Sequence, residues 1–513
     1  MTTPAHLAHL GGTMREFKLF IGGEFVDSAS GQTFETHSPS TGEPIATVAL
    51  GEARDVDTAI AAARKAFDEG PWPNMAPAER TAAMMRVLDG ILARQDELVE
   101  WETADSGHTM RMSSLFTIPY GNEYWRHLAA LGGRYPYRQP VESFGFPAEG
   151  WDFVEREPYG VCAGIIPWNF PYIMAIWKLA PALATGNTAV LKPALETPVT
   201  ALILAEIIAE AGLPPGVVNV LPGHGPSAGE ALVSDPRVDK VAFTGSTEVG
   251  RRIMQLASGT VKKVTLELGG KSPNIMLDDA DLDVAVPGAL WAVYLHTGQM
   301  CEAGTRLFVP SSLYDEVTAR LVELAEGMTV GPATDFASDL GPVLNRRQLE
   351  TVERYVQIGQ DEGAKLLTGG ERAAPAGGEG GFYFQPTIFG DVDNSMKIAQ
   401  EEIFGPVLSV IRYDSVEDAL RQANDTIYGL AAGVWSRDIP RALALAKRIK
   451  AGTVWINDWH MLSPAAPFGG YKQSGIGREF GNWGLDEYLQ VKYIRVDQTP
   501  TKEQKFWYQV VGL

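Results

Sequence analysis

Between 161 and 270, short apolar runs rich in β-branched residues alternate with stretches whose apolar positions recur at helical spacing. Residues 161–166 (Val-Cys-Ala-Gly-Ile-Ile) read as a strand, 172–184 as a helix ending at Gly186, and 188–191 as the next strand. A helix follows from Pro198 to Gly212, then strands at 217–221, 240–244 and 263–267. A βαβα series of this kind predicts a parallel, doubly wound sheet of the nucleotide-binding class. Ligands of such sheets gather at the carboxyl ends of the strands. Here those ends carry Trp168, Asn169, Lys192, Gly223, Gly245, Ser246 and Glu267.

A second α/β region extends over 270–478, with strands predicted at 274–277, 306–309, 407–411 and 453–456 and a Gly/Ala/Pro-rich surface loop at 371–381. Ahead of 161, 17–26 and 43–48 read as small strands, and 56–67 and 78–100 as amphipathic helices. Residues 488–494 alternate apolar and polar side chains for most of their length, as a half-buried strand does. The last residues, 505–513, hold Phe506, Trp507, Tyr508, Val510 and Val511, too apolar for a free tail in water.

Composition narrows the class only modestly. The 513 residues are 45% hydrophobic and 21% charged, the balance of an ordinary globular chain with a large core. A net charge of −20 disfavours an extended basic groove for nucleic acid. Apolar stretches such as 173–184 fall short of the roughly 20 residues of a membrane helix. No basic segment followed by an apolar run opens the chain, so a secretory signal is not expected, and cytoplasm is the expected compartment. The eight histidines show no metal-ligand spacing, and no metal is expected.

The chain has only two cysteines, so no disulfide framework is implied. Cys162 lies inside a predicted strand and reads as a small buried hydrophobe. Cys301 sits in Gly298-Gln299-Met300-Cys301-Glu302-Ala303-Gly304, and Glu267 in Leu266-Glu267-Leu268-Gly269-Gly270. A thiolate is the strongest side-chain nucleophile near neutral pH, and a carboxylate in a glycine-lined turn can activate it or a water. That pairing points to covalent catalysis on a carbonyl. The turn from Gly245 to Gly250 ends a strand and opens a helix whose N–H groups can hold a pyrophosphate; alone it reads more readily as a tight structural turn, and its place after Val241-Ala242-Phe243 in the alternating series favours the cofactor.

Seven motifs in order then resemble the aldehyde dehydrogenase superfamily: Pro167-Trp168-Asn169-Phe170-Pro171, Lys192-Pro193, Phe243-Thr244-Gly245-Ser246-Thr247-Glu248-Val249-Gly250, Leu266-Glu267-Leu268-Gly269-Gly270, Gly298-Gln299-Met300-Cys301, Glu401-Glu402-Ile403-Phe404-Gly405-Pro406 and Pro467-Phe468-Gly469-Gly470-Tyr471-Lys472. The similarity runs from about Phe17 to Val496. It implies an α/β fold with a Rossmann-like dinucleotide-binding domain (1–138 and 158–267) and an α/β catalytic domain (268–478). A small β oligomerisation arm (139–157 and 479–498) and a C-terminal tail (499–513) complete it, in a homodimer or homotetramer with the tail packed on its own or a neighbouring subunit.

The resemblance also implies oxidation of an aldehyde to its acid with NAD, NADP being possible. In that reading Cys301 attacks the aldehyde and Asn169, with the Cys301 backbone N–H, steadies the oxyanion. Glu267 is the base that hydrolyses the thioester, and Lys178 supports it. Ile166, Pro167, Trp168, Lys192, Glu196, Gly225, Gly245, Ser246, Val249, Gly250, Leu268, Glu402 and Phe404 would hold the cofactor. Phe170, Trp177, Leu295, Trp459 and Phe468 would line the substrate tunnel and suit an apolar or aromatic aldehyde.

The chain departs from NAD-preferring relatives at Leu195, where they carry a Glu; here the carboxylate is displaced to Glu196. Betaine aldehyde dehydrogenases tend to place Tyr and Trp where this chain has Phe170, Leu295 and Phe468, so only Trp177 of that cage remains. His460 falls in the family's substrate-entrance loop but reads as a plain loop histidine. A CoA-acylating enzyme and a non-catalytic structural member are the alternatives. The first usually lacks the base at Glu267, and the second has usually lost Cys301 or Glu267.

Overall fold

The computed structural model describes residues 14–142 and 150–512. Its first sheet has eight strands, in the order Gly475–Ile476, Lys263–Glu267, Lys240–Thr244, Val161–Ile165, Thr188–Lys192, Val218–Val220, Leu19–Ile21 and Glu24–Val26. The five middle members from Lys263–Glu267 to Val218–Val220 are parallel, and the outer ones antiparallel. From Val161–Ile165 the chain winds outward to one side, then returns to lay Lys240–Thr244 on the other. The order therefore reverses between these two neighbours, the crevice in which open α/β sheets bind ligands.

These strands are predicted almost to the residue because both faces are covered. Val161, Val190, Val241 and their neighbours are buried on either side, which a continuous β-branched run satisfies. Helix Pro171–Ala184 is buried on every face, opens with a proline at its first position, and packs against helix Ile118–Arg134. Its Lys178 packs over Gly164 in strand Val161–Ile165.

The second sheet has seven strands, in the order Lys365–Thr368, Thr387–Gly390, Val407–Tyr413, Arg306–Pro310, Pro273–Met276, Ala431–Trp435 and Thr453–Ile456. Three of these, 365–368, 387–390 and 431–435, add to the four predicted from sequence. A third small sheet joins Arg15–Phe17, Pro44–Ala49 and Thr33–His37.

Two expectations change. The single helix expected over 78–100 breaks at Arg94, giving Pro77–Ala93 and Gln95–Ser106. Arg94 leaves helical backbone angles and its guanidinium is held by Glu97 and Glu206, each at 2.6 Å. The strand expected over 17–26 is three short ones divided between two sheets, with Gly22-Gly23 turning the last pair.

Leu489–Asp497, Gly150–Pro158 and Arg138–Pro140 form a three-stranded antiparallel sheet, within the stretches expected to make the arm; 143–149 lie outside the described residues. Trp151, Val491, Tyr493 and Val496 stand exposed on it in the single chain. The apolar tail forms a short helix, Phe506–Val511, whose Trp507, Val510 and Val511 are also exposed, so the described chain does not bury them itself. Leu513 lies outside the described residues. No helix among the described residues is long and apolar enough to cross a membrane.

Candidate active site

A cavity of about 270 Å³ opens where the reversal point of the first sheet meets the loops of the second. Its floor brings together Cys301, Asn169 and Glu267, residues that lie on three separate segments of the chain. Gly269 and Gly270 allow the approach. A methyl group on Gly270 would overlap the Cys301 carbonyl, and one on Gly269 would overlap the Glu402 carboxylate. At 270 the obstacle is backbone, and at 269 a side chain would displace the Glu402 carboxylate.

Cys301 is half-buried, and its thiol donates to Glu302 Oε2 at 3.7 Å. Burial, followed by the carboxylates of Glu302, Glu402 and Glu267, pushes the thiol well above its ordinary range. Asn169 is buried; its Nδ2 donates to the Gln299 carbonyl at 2.8 Å, and its own carbonyl accepts from His108 Nε2 at 2.7 Å. Burial lowers His108 to about 4, so the ring is neutral and its Nε2 carries the donated hydrogen.

Glu267 closes strand Lys263–Glu267, and its buried Oε2 has no hydrogen-bond partner among the described residues. Burial, then Glu479, drives its carboxyl well above the usual carboxylate range, with Lys178 and Arg478 opposing. Lys178 itself forms a buried ion pair with Glu479. It does not line the cavity and reaches Glu267 electrostatically.

Around the sheet's carboxyl ends, Pro167, Trp168, Gly245, Ser246, Leu268, Glu402 and Phe404 line one flank of the same cavity. Ser246 caps helix Thr247–Ala257, its Oγ accepting from Val249 N–H at 3.3 Å. Gly250 packs on Leu268 at the start of that helix, and Val249 is exposed beside it. Lys192 is buried and donates to the carbonyls of Pro193 at 3.0 Å and Gly223 at 2.8 Å; burial lowers it to about 8. Ile166 lies buried behind it, its N–H donating to the Lys192 carbonyl, while Gly225 is exposed at the start of the segment Gly225–Gly229. The Glu402 carboxylate accepts from Gly270 N–H at 3.2 Å and is pushed up to about 7 by burial. Phe404 meets the Trp168 ring edge-on at 5.2 Å. Glu196 faces a separate groove with Leu195, Arg346 and Arg347, an arginine pair the sequence did not associate with it.

Residues 25–494 match the profile of the aldehyde dehydrogenase family. The chain belongs to that family. It is 45% identical to the mitochondrial benzaldehyde dehydrogenase of Antirrhinum majus over 480 residues, 93% of this chain and 88% of that protein. It is 44% identical to the betaine aldehyde dehydrogenase of Bacillus subtilis over 484 residues, 94% of this chain and 98% of that protein. Among solved structures, the NAD+ complex of an aldehyde dehydrogenase from Bacillus cereus superposes with a TM-score of 0.92 at 43% identity, covering 97% of this chain and 99% of that one. The expected aldehyde dehydrogenase fold is thereby shown, and the chain is an oxidoreductase acting on aldehydes.

The apolar flank of the aldehyde dehydrogenase cavity differs from expectation in detail. Phe170, Trp177 and Phe468 line it; Leu295 and Trp459 do not. Leu295 follows helix Leu282–Tyr294 and faces a separate cavity of about 100 Å³ with Met112 and Tyr294. Trp459 is fully buried against Gly433, where a Cβ would overlap its ring, and beside Gly304. Its neighbour His460, with a left-handed φ of 64°, presents its ring to the cavity instead. His460 is therefore a buried wall residue and not a plain loop histidine. Phe116, Tyr124, Ile173, Met174, Leu462 and Glu302 complete the wall and were not singled out from sequence.

Proposed function

We propose that this aldehyde dehydrogenase oxidises an apolar or aromatic aldehyde to the acid by covalent catalysis at Cys301, with hydrolysis of the resulting thioester. The carrying observation is the convergence of Cys301, Asn169 and Glu267 on one cavity with an aromatic wall. The thiolate forms a bond to the aldehyde carbon, and the carbonyl electrons move onto oxygen. Asn169 Nδ2 spends one hydrogen on Gln299 and has a second for that oxyanion, with the Cys301 backbone N–H as partner. Glu267 then takes a proton from the water that attacks the thioester, releasing the acid and regenerating sulfur. Lys178 supports that base electrostatically while it is paired with Glu479.

The flank fits a dinucleotide. Lys192 is a buried cation pointing at backbone carbonyls, Thr244 Oγ1 is buried without a partner among the described residues, and the helix capped by Ser246 starts at the strand end. Lys192, Ser246 and the helix start would hold its phosphates and ribose, Glu402 the second ribose, and Phe404 the ring beside it. The chemistry a bound NAD+ would supply there is that of a hydride acceptor beside Cys301. We infer NAD as cofactor, since relatives include an NAD+ complex; Leu195 leaves NADP open to test. In this reading 1–138 with 158–267 bind the dinucleotide, 268–478 carry the nucleophile, and the exposed arm strands (139–157 and 479–498) join subunits into a homodimer or homotetramer. Cytoplasm is the proposed compartment, in keeping with two unpaired cysteines.

For the substrate, Phe116, Tyr124, Phe170, Trp177 and Phe468 supply aromatic surface. A trimethylammonium aldehyde is the second reading, since Tyr124, Trp177 and the Glu302 carboxylate meet on this wall. Glu302 is already paired with His460, which removes its charge from that use. A panel of benzaldehyde, a medium-chain alkanal and betaine aldehyde, each with NAD+ or NADP+ and with or without CoA, tests the reading. A higher kcat/KM on the first two with NAD+, independent of CoA, is expected. Preference for betaine aldehyde or dependence on CoA would overturn it.

A further inference from the structure

The thiol proton of Cys301 needs an acceptor, and the cavity holds a specific one. Cys301 Sγ–H donates to Glu302 Oε2 at 3.7 Å, and the other carboxylate oxygen, Oε1, lies 3.1 Å from His460 Nδ1. His460 Nε2 lies 3.2 Å from the backbone carbonyl of Trp291. A carbonyl only accepts, so Nε2 carries a hydrogen. A neutral ring would then leave Nδ1 bare, facing a carboxylate oxygen with no hydrogen between them. One further proton shared by Nδ1 and Oε1 would satisfy both contacts, making the Glu302–His460 pair net neutral and leaving Oε2 as an acceptor aimed at sulfur. Both side chains are buried.

We propose that Glu302, backed by the charge of His460, takes the thiol proton of Cys301 and so makes the nucleophile. The inference rests on the reading of Cys301 as nucleophile and adds a residue to it. The S–H bond breaks, its electron pair stays on sulfur, and an O–H bond forms at Glu302 Oε2. The products are a thiolate, a neutral carboxylic acid and an imidazolium, with the proton count unchanged.

No other neighbour serves as well. Glu267 is held well above the carboxylate range by burial and Glu479, and its cationic neighbour Lys178 is engaged by Glu479. Glu402 is pushed up to about 7 by burial and accepts from Gly270 N–H. Tyr124, on helix Ile118–Arg134, is driven far upward by burial and remains neutral. Asp458, next in the loop, has its carboxylate on the backbone N–H of Trp459. Glu302 alone combines contact with sulfur and a paired cation. His460 touches Glu302 and not sulfur, so its charge acts by offsetting the carboxylate that would otherwise oppose a thiolate.

The two possible effects of Glu302 have opposite signs. A fixed carboxylate merely repels a thiolate, and removing it would make Cys301 more reactive at every pH. A relay gives a thiolate population that does not change with pH while the pair keeps its shared proton, and removing it makes Cys301 less reactive. The test is alkylation of Cys301 by iodoacetamide in the full-length enzyme without aldehyde, mapped by peptide mass, from about pH 5 to about pH 10, a span from the carboxylate to the thiol range. The wild type is expected to show a pH-independent shoulder below the thiol range. Glu302→Gln and His460→Gln are expected to lose it, with roughly tenfold or greater slowing at neutral pH. Faster alkylation of Glu302→Gln overturns the relay. So does a wild-type profile without the shoulder, which needs no variant to fold. Turnover surviving Cys301→Ala would sink the nucleophile reading while leaving the alkylation result intact, so the two failures are distinguishable.

Discussion

Replacing Glu267 with glutamine keeps the shape of the side chain and removes only its capacity to take a proton. Oε2 of Glu267 is buried without a hydrogen-bond partner, so the amide breaks no contact of that atom. Acylation and transfer to the cofactor draw on Cys301, Asn169 and the sulfur's own proton acceptor, whereas thioester hydrolysis needs a base. The variant is expected to release a burst of about one NADH per active site and then stall, with the steady rate down by roughly 10²–10⁴, the usual worth of a general base.

The pH behaviour follows from the same burial. Glu267 titrates well above the ordinary carboxylate range, so the wild-type steady rate climbs as pH rises through that raised value. The variant's residual rate lacks that climb. Stability takes the opposite sign. Between the ordinary and the raised pKa the folded chain holds a proton that the unfolded chain has lost, so the wild type loses stability as pH rises across that window. Glutamine escapes the loss, and the variant melts higher than the wild type at alkaline pH. Stopped-flow absorbance of NADH and melting curves at two pH values check both. A burst that vanishes with the steady rate would place Glu267 at the thiol. An unchanged steady rate would remove it from the mechanism altogether.

Three further outcomes follow from the geometry. Asn169→Ala removes one oxyanion donor and is expected to slow burst and steady phases together by about 10²–10³; a full-speed burst on rapid mixing would refute the donor role. Lys178→Met leaves Glu479 buried without its partner and is expected to cost about 3–5 kcal/mol by denaturant titration, more than the double change Lys178→Met with Glu479→Leu; equal losses would show that the pair is not coupled. Val491→Asp with Tyr493→Asp on the exposed arm, or deletion of 505–513, is expected to lower the mass in solution or the melting temperature; no change in either would retire arm and tail as contact surfaces.

The parts legible in sequence are those whose physics is local. Strands 240–244 and 263–267 match the expected bounds because each is a short segment around β-branched and apolar residues within an alternating strand and helix series. Ala431–Trp435 is equally buried, yet Ala-Ala-Gly at its start lacks the β-branched signature, since Gly433 leaves room for the Trp459 ring. Cys301, Glu267 and Asn169 stood out through their motifs, but no local pattern reports that Glu302 meets His460 across 158 residues. The offset from Trp459 to His460 has a backbone cause. Asn457 and His460 adopt left-handed angles, φ 56° and 64°, which turn the loop so that the tryptophan goes to the core and the histidine to the cavity. Lys178 was expected near the base, and the structure interposes Glu479, a residue 301 positions away.

Covalent catalysis requires an intermediate on Cys301, and Glu267→Gln is the form of the protein in which it accumulates. Mixing that variant with benzaldehyde and NAD+, quenching in acid and measuring intact and peptide masses reads it directly. A benzoyl adduct is expected on the peptide holding Cys301, close to one per chain, and absent from the double variant with Cys301→Ala. A burst of NADH with no adduct, or an adduct on Cys162, would contradict covalent catalysis at Cys301.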